Sequence, residues 1–531
     1  MALRFGRFWN YFDVTALSFI AVCLSIILVY RKYKNLPPGP WGLPFVGYLC
    51  SIINENVHDK YFELSKKYGK IFSVKLGQKN VVIISDPRML KEAFNKEEFN
   101  GRPSNEFYKL LGGYGIINTQ GHIWKEQRRF LHACLRWFGM TIFNRKNNNQ
   151  LESRIMGEVK LLLENLKNQK GRAIDLNHSF VISISNVICS LLMSVRFSFN
   201  DPVFKNLMMK MEEGFRLFGG IVLLNYFPFL RFFPFFLKEF KKIEENKKQT
   251  HQFFQNIIDD HKRSFNESNT RDVLDFYLSE IQRAERNGNS ENLFDGKDHN
   301  SQIRQIIVDL YTAGMETTKT TLHWSIIYML HYPDVAKSIQ AELDAVVGRK
   351  RLPTFEDLPY LPITESTILE VLRKSSIVPL GNSHATMKDV YFKGYLIPKN
   401  TEIVPLIYAV NNDPELWESP EKFLPSRFLN SEGRVTKPDH FIPFGIGRRT
   451  CLGEFLARME IFLFFSCILH TFNIQLPEGH TLPSLEGYFG ITLNPGAYKV
   501  QLIERPFSAD VHTSSVLPEI LSNKRMPAGS H

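Results

Sequence analysis

Cysteine is scarce in this sequence, and its scarcity excludes two classes of cross-linked protein. Only six of the 531 residues are cysteine, and no two of them form a CxxC pair. A disulfide scaffold or a structural zinc site needs cysteines that are denser and paired. Internal repeats and linkers rich in proline, glycine and serine are also missing, which argues against a string of small modules.

Long hydrophobic runs are almost as rare, because only one segment is long enough to cross a membrane. Val14–Tyr30 contains no charged residue, and a basic cluster at 31–34 follows it directly. A cleaved signal peptide is the alternative, but a small-residue cleavage site is missing and the basic cluster is the wrong flank. We predict that residues 1–35 form a single-pass anchor with a stop-transfer cluster and that the body faces the cytosol.

Charge of one sign does not dominate the composition either. Lys and Arg total 65 against 54 Asp and Glu, which gives a net charge of +11. Such an excess is compatible with nucleic acid, anionic lipid or an acidic protein partner and does not choose among them. Phenylalanine is abundant instead, with 44 residues. This abundance indicates a large apolar interior, an apolar ligand or contact with lipid.

The body is predicted to be mainly helical with a small sheet component. Short β-like runs are separated by turn residues, and the stretch at 283–301 is polar enough to be a surface loop. The segment Leu36–Pro40 is a stiff connector or a plain linker. Apolar residues at helical spacing mark the segments 151–170, 203–218, 238–263, 303–331, 334–347 and 364–375. The strand-like runs are Ile71–Leu76, Val81–Ser85, Val390–Phe392 and Ile403–Pro405.

One cysteine lies in a setting that favours chemistry. Cys451 follows a glycine-rich loop with two arginines and precedes a run of good helix formers that begins at Glu454. Nearby cations, a helix start and free backbone N–H groups all stabilise a thiolate. Such a site could be a redox thiol, a nucleophile or a metal ligand. No second cysteine lies nearby, and a lone thiolate is sufficient when the metal already has four ligands, as in haem.

The loop resembles the haem-binding loop of the cytochrome P450 family. Its pattern Phe-x-x-Gly-x-Arg-x-Cys-x-Gly is filled by Phe444, Gly447, Arg449, Cys451 and Gly453. The resemblance implies a cytochrome P450 fold with haem b, in which Cys451 is the proximal iron ligand and Arg449 pairs with a propionate. It extends over 36–506, which we predict to be one haem domain, with 507–531 as a polar tail.

A second motif lies inside the long apolar helix pattern of 303–331. Ala313-Gly314-Met315-Glu316-Thr317-Thr318 matches the small-Gly-x-acid-Thr pattern of the family. A tolerated glycine and a solvent-facing Glu would be the plain structural interpretation. The resemblance implies that Thr317 and Glu316 are catalytic and deliver protons during activation of O2.

Three further motifs follow the order of the family. The resemblance makes Glu370, Arg373 and Arg427 a buried triad that braces the cysteine loop, although a surface ion pair is the simpler interpretation of Glu370 and Arg373 alone. It also implies that Trp124, Arg128 and His384 contact the haem propionates. Each of these residue types is common, so the motifs gain their meaning from the order in which they occur.

The resemblance also suggests the substrate class and the partners. Stretches such as Arg129–His132, His440–Pro443 and Leu456–Glu460 are similar to the ecdysteroid 26-hydroxylases of arthropods, which implies hydroxylation of a steroid side chain and inactivation of the hormone. Another lipophilic or xenobiotic substrate, an oxygen-independent isomerase and a non-catalytic haem or steroid carrier are the alternatives. The expected partners are NADPH–cytochrome P450 reductase, cytochrome b5, the endoplasmic reticulum bilayer and a steroid, with nucleic acid excluded.

Two surface features complete the expectations. The segment 227–236 holds six phenylalanines and two prolines, and we predict that it dips into lipid, with core packing beneath a loop as the alternative. Basic residues in two segments are candidates for docking an acidic reductase, although ordinary solvated charge explains them equally well. These residues are Lys125, Arg128, Arg129, Arg136 and Arg448.

Overall fold

The computed structural model describes residues 35–52, 56–105, 109–140, 145–220 and 222–506. The anchor predicted within residues 1–35 lies outside the described residues except for Asn35, and the tail predicted at 507–531 lies outside them entirely. Among the described helices, none combines the length and the apolar character that crossing a membrane requires. Both terminal assignments therefore stay predictions.

The described residues are mainly helical. Turns of 3₁₀ helix connect several elements, among them Val222–Asn225, Pro228–Phe232, Pro425–Phe428 and Gly447–Arg449. The α-helices are α1 Val57–Tyr68, α2 Pro87–Asn95, α3 Gly121–Trp137, α4 Arg145–Lys167, α5 Asn177–Met193, α6 Pro202–Gly220, α7 Pro234–Arg263, α8 Val273–Arg286, α9 His299–His331, α10 Pro333–Val346, α11 Pro362–Ser375, α12 Ile407–Asn412 and α13 Glu454–Thr471.

The sheet component is small and is divided among four separate sheets. Its main sheet has four strands in the order β1-β2-β6-β3, in which β2 and β6 are parallel and the other pairs are antiparallel. Three two-stranded pairs, β4 with β5, β7 with β10 and β8 with β9, complete it. The strands are β1 Ile71–Leu76, β2 Lys79–Ile84, β3 His384–Ala385, β4 Val390–Phe392, β5 Tyr395–Ile397, β6 Glu402–Pro405, β7 Phe472–Gln475, β8 Tyr488–Phe489, β9 Leu493–Asn494 and β10 Gln501–Glu504.

The helix α9 forms the centre of the body. It is 33 residues long and begins where the side chain of Asp298 accepts the N–H of Ser301, an N-cap that satisfies one free donor of the first turn. Most of its residues are buried because α5, α7, α11 and α13 all pack against it. Its buried residues include polar ones such as Gln305, Asp309 and Glu316, which find hydrogen-bond partners inside the protein.

Several predicted bounds needed correction. The stretch at 283–301 is not one loop, since α8 continues to Arg286, a 3₁₀ turn covers Ser290–Gly296 and α9 starts at His299. The strand predicted at 81–85 runs from Lys79 to Ile84. The apolar pattern also missed α5, because this helix buries polar residues such as Ser183 together with its apolar ones and shows little periodicity.

Candidate functional site

The loop before α13 presents a single cysteine. The 3₁₀ turn Gly447–Arg449 precedes Cys451, whose N–H donates to the carbonyl of Phe444 at 2.9 Å. Gly447 has a φ of +83°, and a Cβ at this position would lie 2.6 Å from the backbone of Phe94 in α2. Only glycine combines this backbone angle with so close an approach. The loop is thus closed on itself and fitted against α2.

The environment of Cys451 opposes a free thiolate. Although the residue keeps accessible surface, the protein packed around its sulfur raises the pKa of the thiol, and the carboxylate of Glu454 raises it further. The N–H of Gly453 and the guanidinium of Arg128 lower the pKa but do not outweigh burial. The cation and the backbone N–H thus act in the direction that the sequence predicts, but burial has the larger effect on the pKa of the thiol. A metal ion bound at the sulfur would deprotonate it.

One face of α9 is accessible although the helix is otherwise buried. Ala313 is exposed, and Gly314 and Thr317 are half-buried. The hydroxyl of Thr317 donates to the carbonyl of Ala313 at 2.7 Å. On a buried side of the same helix, the hydroxyl of Thr318 donates to Glu460 of α13 at 3.3 Å, so α9 packs against the helix that follows the cysteine loop. Small side chains here leave room for a flat ligand.

Glu316 lies in the same turn of α9 but belongs to a buried network. Its carboxylate pairs with the ammonium of Lys319 at 2.7 Å and accepts the hydroxyl of Thr492 at 2.9 Å. Thr492 lies between β8 and β9, so this contact ties that hairpin to α9. Glu316 and Thr317 are neighbours in the chain, but only Thr317 lies on the accessible face of α9.

Three of the predicted haem contacts meet beside the cysteine loop. The guanidinium of Arg449 lies 4.0 Å above the ring of Trp124 and donates to two backbone carbonyls at 2.9 and 2.8 Å. Arg128, one turn along α3 from Trp124, donates to the carbonyl of Thr450 at 2.6 Å. Burial lowers the pKa of Arg128, and Cys451 partly reverses this. The cluster of Arg449, Trp124 and Arg128 is therefore cationic and suits a carboxylate ligand.

His384 lies on β3 near the same group. Its Nδ1 is 2.8 Å from the carbonyl of Phe99 and therefore carries a proton, and its ring stacks on Phe94 with the centroids 3.7 Å apart. Burial lowers the pKa of His384, and Arg102 and Arg449 lower it further. A neutral ring with its proton on Nδ1 has only an acceptor at Nε2. Donation from Nε2 to a propionate would therefore require the imidazolium form.

Arg102 is a further cation of this site, and sequence reasoning missed it. Its guanidinium donates to the carbonyls of Ile117 at 2.9 Å and Ser383 at 2.7 Å. Its charge also lowers the pKa of His384. An arginine in a loop has no spacing that marks it in a sequence. Its place depends on the pairing of its neighbour Gly101 with Ala385 of β3, which brings together segments far apart in the chain.

The predicted triad is assembled behind the loop. The side chain of Arg373 donates to both carboxylate oxygens of Glu370 at 2.8 and 2.7 Å, and Arg427 donates at 3.1 Å. The N–H of Leu424 adds a contact at 2.8 Å. This cluster joins α11 to the 3₁₀ turn Pro425–Phe428, whose last ring packs on Phe441 with the centroids 4.9 Å apart. Phe441 leads into the cysteine loop.

The residues around Cys451 fit a haem. Among the described residues, the groups of His, Cys, Asp and Glu close enough to hold a metal ion do not include Cys451, so an ordinary protein-ligated metal site is a poor match. A haem iron needs only one protein ligand of this kind because the porphyrin supplies four. The small side chains on the accessible face of α9 are compatible with a flat ring, and the arginines suit its propionates.

The chain matches known proteins over nearly its whole length. The Cytochrome P450 family model matches residues 37–502, which include every site residue described above. The chain is 50% identical over 499 residues to cytochrome P450 18a1 of Drosophila melanogaster, covering 93% of this chain and 92% of that protein. It is 34% identical to cytochrome P450 2B9 of Mus musculus, covering 88% of this chain and 94% of that protein. For cytochrome P450 2J5 of the same species the identity is also 34%, with 94% and 98% covered.

Proposed function

This chain belongs to the cytochrome P450 family of haem-thiolate monooxygenases, and we propose that it hydroxylates the side chain of ecdysteroids at C26. It has the cytochrome P450 fold and uses haem b, O2 and electrons from NADPH that arrive through a reductase. The observation that supports this chemistry best is Cys451, held in a closed loop to which Arg128 of α3 donates at Thr450.

The site residues have separate roles in this proposal. When bound, haem supplies the oxygen-activating and oxygen-inserting chemistry. Cys451 would hold the iron, and Arg449 with Trp124 would hold a propionate. Thr317 presents its hydroxyl on the accessible face and would hold a proton near the reacting oxygen. Glu316 would supply that proton once its contacts with Lys319 and Thr492 open.

Support for the substrate comes from the sequence rather than from a substrate contact. The stretches at 129–132, 440–443 and 456–460 resemble arthropod ecdysteroid 26-hydroxylases. The accessible face of α9 is made of small side chains, as a bulky and mostly apolar steroid requires. Hydroxylation of the side chain would make the hormone more polar and inactivate it.

The class of chemistry is tested by the spectrum of the reduced protein with carbon monoxide. The wild-type protein should show the red-shifted band of a thiolate-ligated haem, and Cys451→Ser should lose it. Cys50→Ser is the matched control, because Cys50 is also exposed but lies far along the chain in the N-terminal region. A thiolate band that survived in Cys451→Ser would refute the assignment of the ligand.

The substrate is tested by turnover. Protein reconstituted with NADPH–cytochrome P450 reductase is incubated with NADPH and an ecdysteroid, and the products are identified by mass spectrometry. A product hydroxylated at C26 is expected, and continued incubation shows whether oxidation proceeds to the acid. A protein with the correct spectrum that gives no such product would exclude the steroid and leave the monooxygenase class intact.

We propose that the body rests on the endoplasmic reticulum membrane through a phenylalanine patch, defined as Phe229, Phe232, Phe233 and Phe235. Phe232 is 71% exposed and Phe235 is 70% exposed, which is unusual for large apolar side chains that lie together. The patch follows Phe227, which packs against the core of the β1–β2 hairpin.

The connector that would lead to the anchor lies against the same hairpin. The carbonyl of Pro38 accepts the N–H of Ser73 in β1 at 2.8 Å, and that of Pro37 accepts its hydroxyl at 2.6 Å. Just beyond, Trp41 and Phe45 are exposed. An anchor attached here would therefore hold the phenylalanine patch close to lipid.

Liposome binding of protein truncated before residue 36 tests this orientation. Replacing Phe232, Phe233 and Phe235 by Ser should lower partitioning into neutral vesicles, because each exposed ring loses about 1.5–3 kcal/mol of apolar transfer. Tyr391→Ser, which removes another exposed aromatic ring, is the control and should not change it. Equal binding by all three proteins would contradict the proposal.

We also propose that an exposed basic stripe on α3 docks the reductase, with cytochrome b5 as a second partner. Lys125, Arg129 and Arg136 lie on one face of α3 and are exposed, as is Arg448 beside the cysteine loop. Arg128 points inward instead and contacts Thr450. Because α3 contacts the cysteine loop through Arg128, a reductase bound at the stripe would deliver electrons near Cys451.

Electrostatic docking predicts a rate that depends on salt. Charge reversal in Arg129→Glu with Arg136→Glu should slow reduction by the reductase and flatten its dependence on ionic strength. Lys205→Glu, an exposed position on α6, is the control and should behave as the wild-type protein. A salt dependence that is the same in all three proteins would refute the docking surface.

A further inference from the structure

One side of α7 lines a cleft that carries an excess of positive charge. The cleft has a volume of about 370 Å³ and lies between α7, Arg304 of α9 and Leu110. Its α7 residues follow a spacing of three and four positions, so they share one side of the helix. They are Glu244, Lys247, Lys248, His251, Gln252 and Gln255. None of these residues belongs to the haem site described above.

Cations outnumber carboxylates in the lining of this cleft. Lys247, Lys248 and Arg304 each carry a positive charge, and Glu244 carries a negative one. His251 is neutral at pH 7, because burial and the neighbouring cations lower its pKa to about 4. Three positive charges against one negative charge leave the lining with a net charge of +2. An excess of this kind on a concave surface concentrates anions.

Arg304 is held in the cleft by neutral groups. Its Nη1 donates to Gln255 Oε1 at 2.7 Å, and its Nη2 donates to Ser301 Oγ at 3.1 Å. Its Nε is buried and has no hydrogen-bond partner among the described residues. Asp298, whose pKa is lowered first by Ser301 and further by Arg304, is engaged as the N-cap of α9. The acceptors of Arg304 therefore fix its position without neutralising its charge.

Lys247 shows that the cations of the cleft repel one another. Its ammonium donates to the carbonyl of Leu110 at 2.6 Å, which is again a neutral acceptor. Burial lowers the pKa of Lys247, and the charge of Arg304 lowers it further. Beyond the effect of burial, the same two cations lower the pKa of His251, whose ring nitrogen lies 3.1 Å from Gln305 Oε1. A negatively charged ligand would relieve this repulsion.

The lining also indicates which anion fits. Among the described residues that line the cleft, Leu110 is the one apolar side chain, and none has a phenyl, phenol or indole ring. A lipid tail or a stacked nucleobase would therefore find little to contact. A volume of about 370 Å³ lies within the range of small-molecule sites and is larger than a bare inorganic ion. A phosphate monoester carries nearly two negative charges at pH 7, which matches the net charge of the lining.

We propose that this cleft binds a soluble phosphate monoester, whose phosphate is held by Lys247, Lys248 and Arg304 and bridges α7 and α9. A bilayer headgroup is the other source of such a phosphate. However, α7 begins at Pro234, next to the phenylalanine patch, and Lys247 lies about 20 Å further along the helix. A bilayer that meets the patch would leave the cleft some distance from its surface. The proposal does not depend on the identity of the hydroxylated substrate.

Calorimetric titration of the haem-loaded, full-length protein with glycerol 3-phosphate tests the site. Saturable binding is expected, and Arg304→Gln should weaken the affinity about 10- to 100-fold, which corresponds to the loss of a charged hydrogen bond. Lys248→Gln, at an exposed position, should weaken it roughly fivefold. Lys242→Gln is the matched control, because Lys242 is exposed on another side of α7 and pairs with Glu239. No saturable binding, or equal affinity in all these proteins, would overturn the proposal.

Glu244→Gln separates the loss of a ligand contact from a general loss of structure. This variant removes the opposing carboxylate of the cleft and should bind glycerol 3-phosphate more tightly than the wild-type protein, which a poorly folded variant would not do. Weaker binding in Glu244→Gln would contradict the electrostatic argument. Raising the salt concentration should weaken binding by the wild-type protein, and binding that salt does not change would contradict it as well.

The source of the phosphate is tested with protein reconstituted into bilayers. The affinity for glycerol 3-phosphate should be the same in bilayers that contain phosphatidic acid and in bilayers that contain phosphatidylglycerol, which matches the surface charge but has no phosphate monoester. A lower affinity with phosphatidic acid alone would show that a headgroup competes for the cleft. This result would overturn the assignment to a soluble ligand.

Discussion

Glu370→Gln is the substitution that tests the bracing of the cysteine loop most directly. Glu370 and Arg373 have no accessible surface, and the carboxylate accepts N–H groups from Arg373, Arg427 and Leu424. A glutamine keeps the shape of the side chain but loses the negative charge. Its amide N–H₂ also replaces one acceptor oxygen by a donor that faces the guanidinium groups.

The expected loss follows from the buried charge that remains. Removing one partner of a buried ion pair costs about 3–5 kcal/mol. The bonds of Arg373 Nη1 to the carbonyls of Asn411 at 2.7 Å and Pro420 at 3.0 Å remain, but they do not neutralise the guanidinium. With about 2.1 cal/mol/K of unfolding entropy per residue, a body of this size has roughly 1 kcal/mol/K. The apparent Tm should therefore fall by about 3–5 °C.

The assay is a thermal scan of the haem-loaded protein combined with the carbon monoxide spectrum. Glu365→Gln is the matched control, because Glu365 lies on the same helix, is partly exposed and pairs with Lys437 at 2.8 Å. A surface pair contributes about 0–1 kcal/mol, so the control should shift the Tm by about 1 °C or less. If Glu370→Gln melted like the control and kept its full thiolate band, the triad would not brace the loop.

Three further predictions concern single positions. In Gly447→Ala, the positive φ and the clash with Phe94 should lower the free energy of unfolding by about 1–3 kcal/mol. The fraction of protein with a thiolate band should fall as well. An unchanged band would show that the loop can move. Thr317→Val removes the hydroxyl but keeps the size of the side chain. The amount of product formed per NADPH consumed should fall about tenfold or more, while the carbon monoxide spectrum stays unchanged. A normal yield of product per NADPH would exclude a proton-delivery role. Because burial raises the pKa of Asp309 from 3.8 to about 6, its protonated form contributes stability that is present below about pH 4 and is lost as the pH rises through about 6. Asp309→Asn should therefore gain about 3 kcal/mol relative to the wild-type protein between pH 4 and pH 7, and parallel curves of Tm against pH would contradict this.

Local patterns were sufficient for the elements that carry the site. The sequence predicts a helix at 303–331 and a strand at 71–76, and the structure has α9 at His299–His331 and β1 at Ile71–Leu76. Both segments have apolar residues at the spacing of their element, and the proline at 333 marks where the helix ends. The cysteine loop could also be recognised, because its glycines, arginines and cysteine are close together in the chain.

Contacts between distant segments could not be predicted in this way. The need for glycine at position 447 arises from Phe94, more than 350 residues earlier in the sequence. The place of Arg102 beside His384 depends on the pairing of Gly101 with the end of the main sheet. Neither relation leaves a spacing or a periodicity that a single sequence reveals.

Charge states show where local chemistry is insufficient. Around Cys451 the cations and the helix start are visible in the sequence, yet the pKa of the thiol is raised because burial opposes them. Burial also raises the pKa of Asp309, although an acid within a helical pattern is ordinarily a surface residue. Its carboxylate is instead buried against the 115–117 segment, and its pKa is raised. Residue type and spacing thus identify which atoms can do chemistry, whereas packing between distant segments determines the protonation state in which they do it.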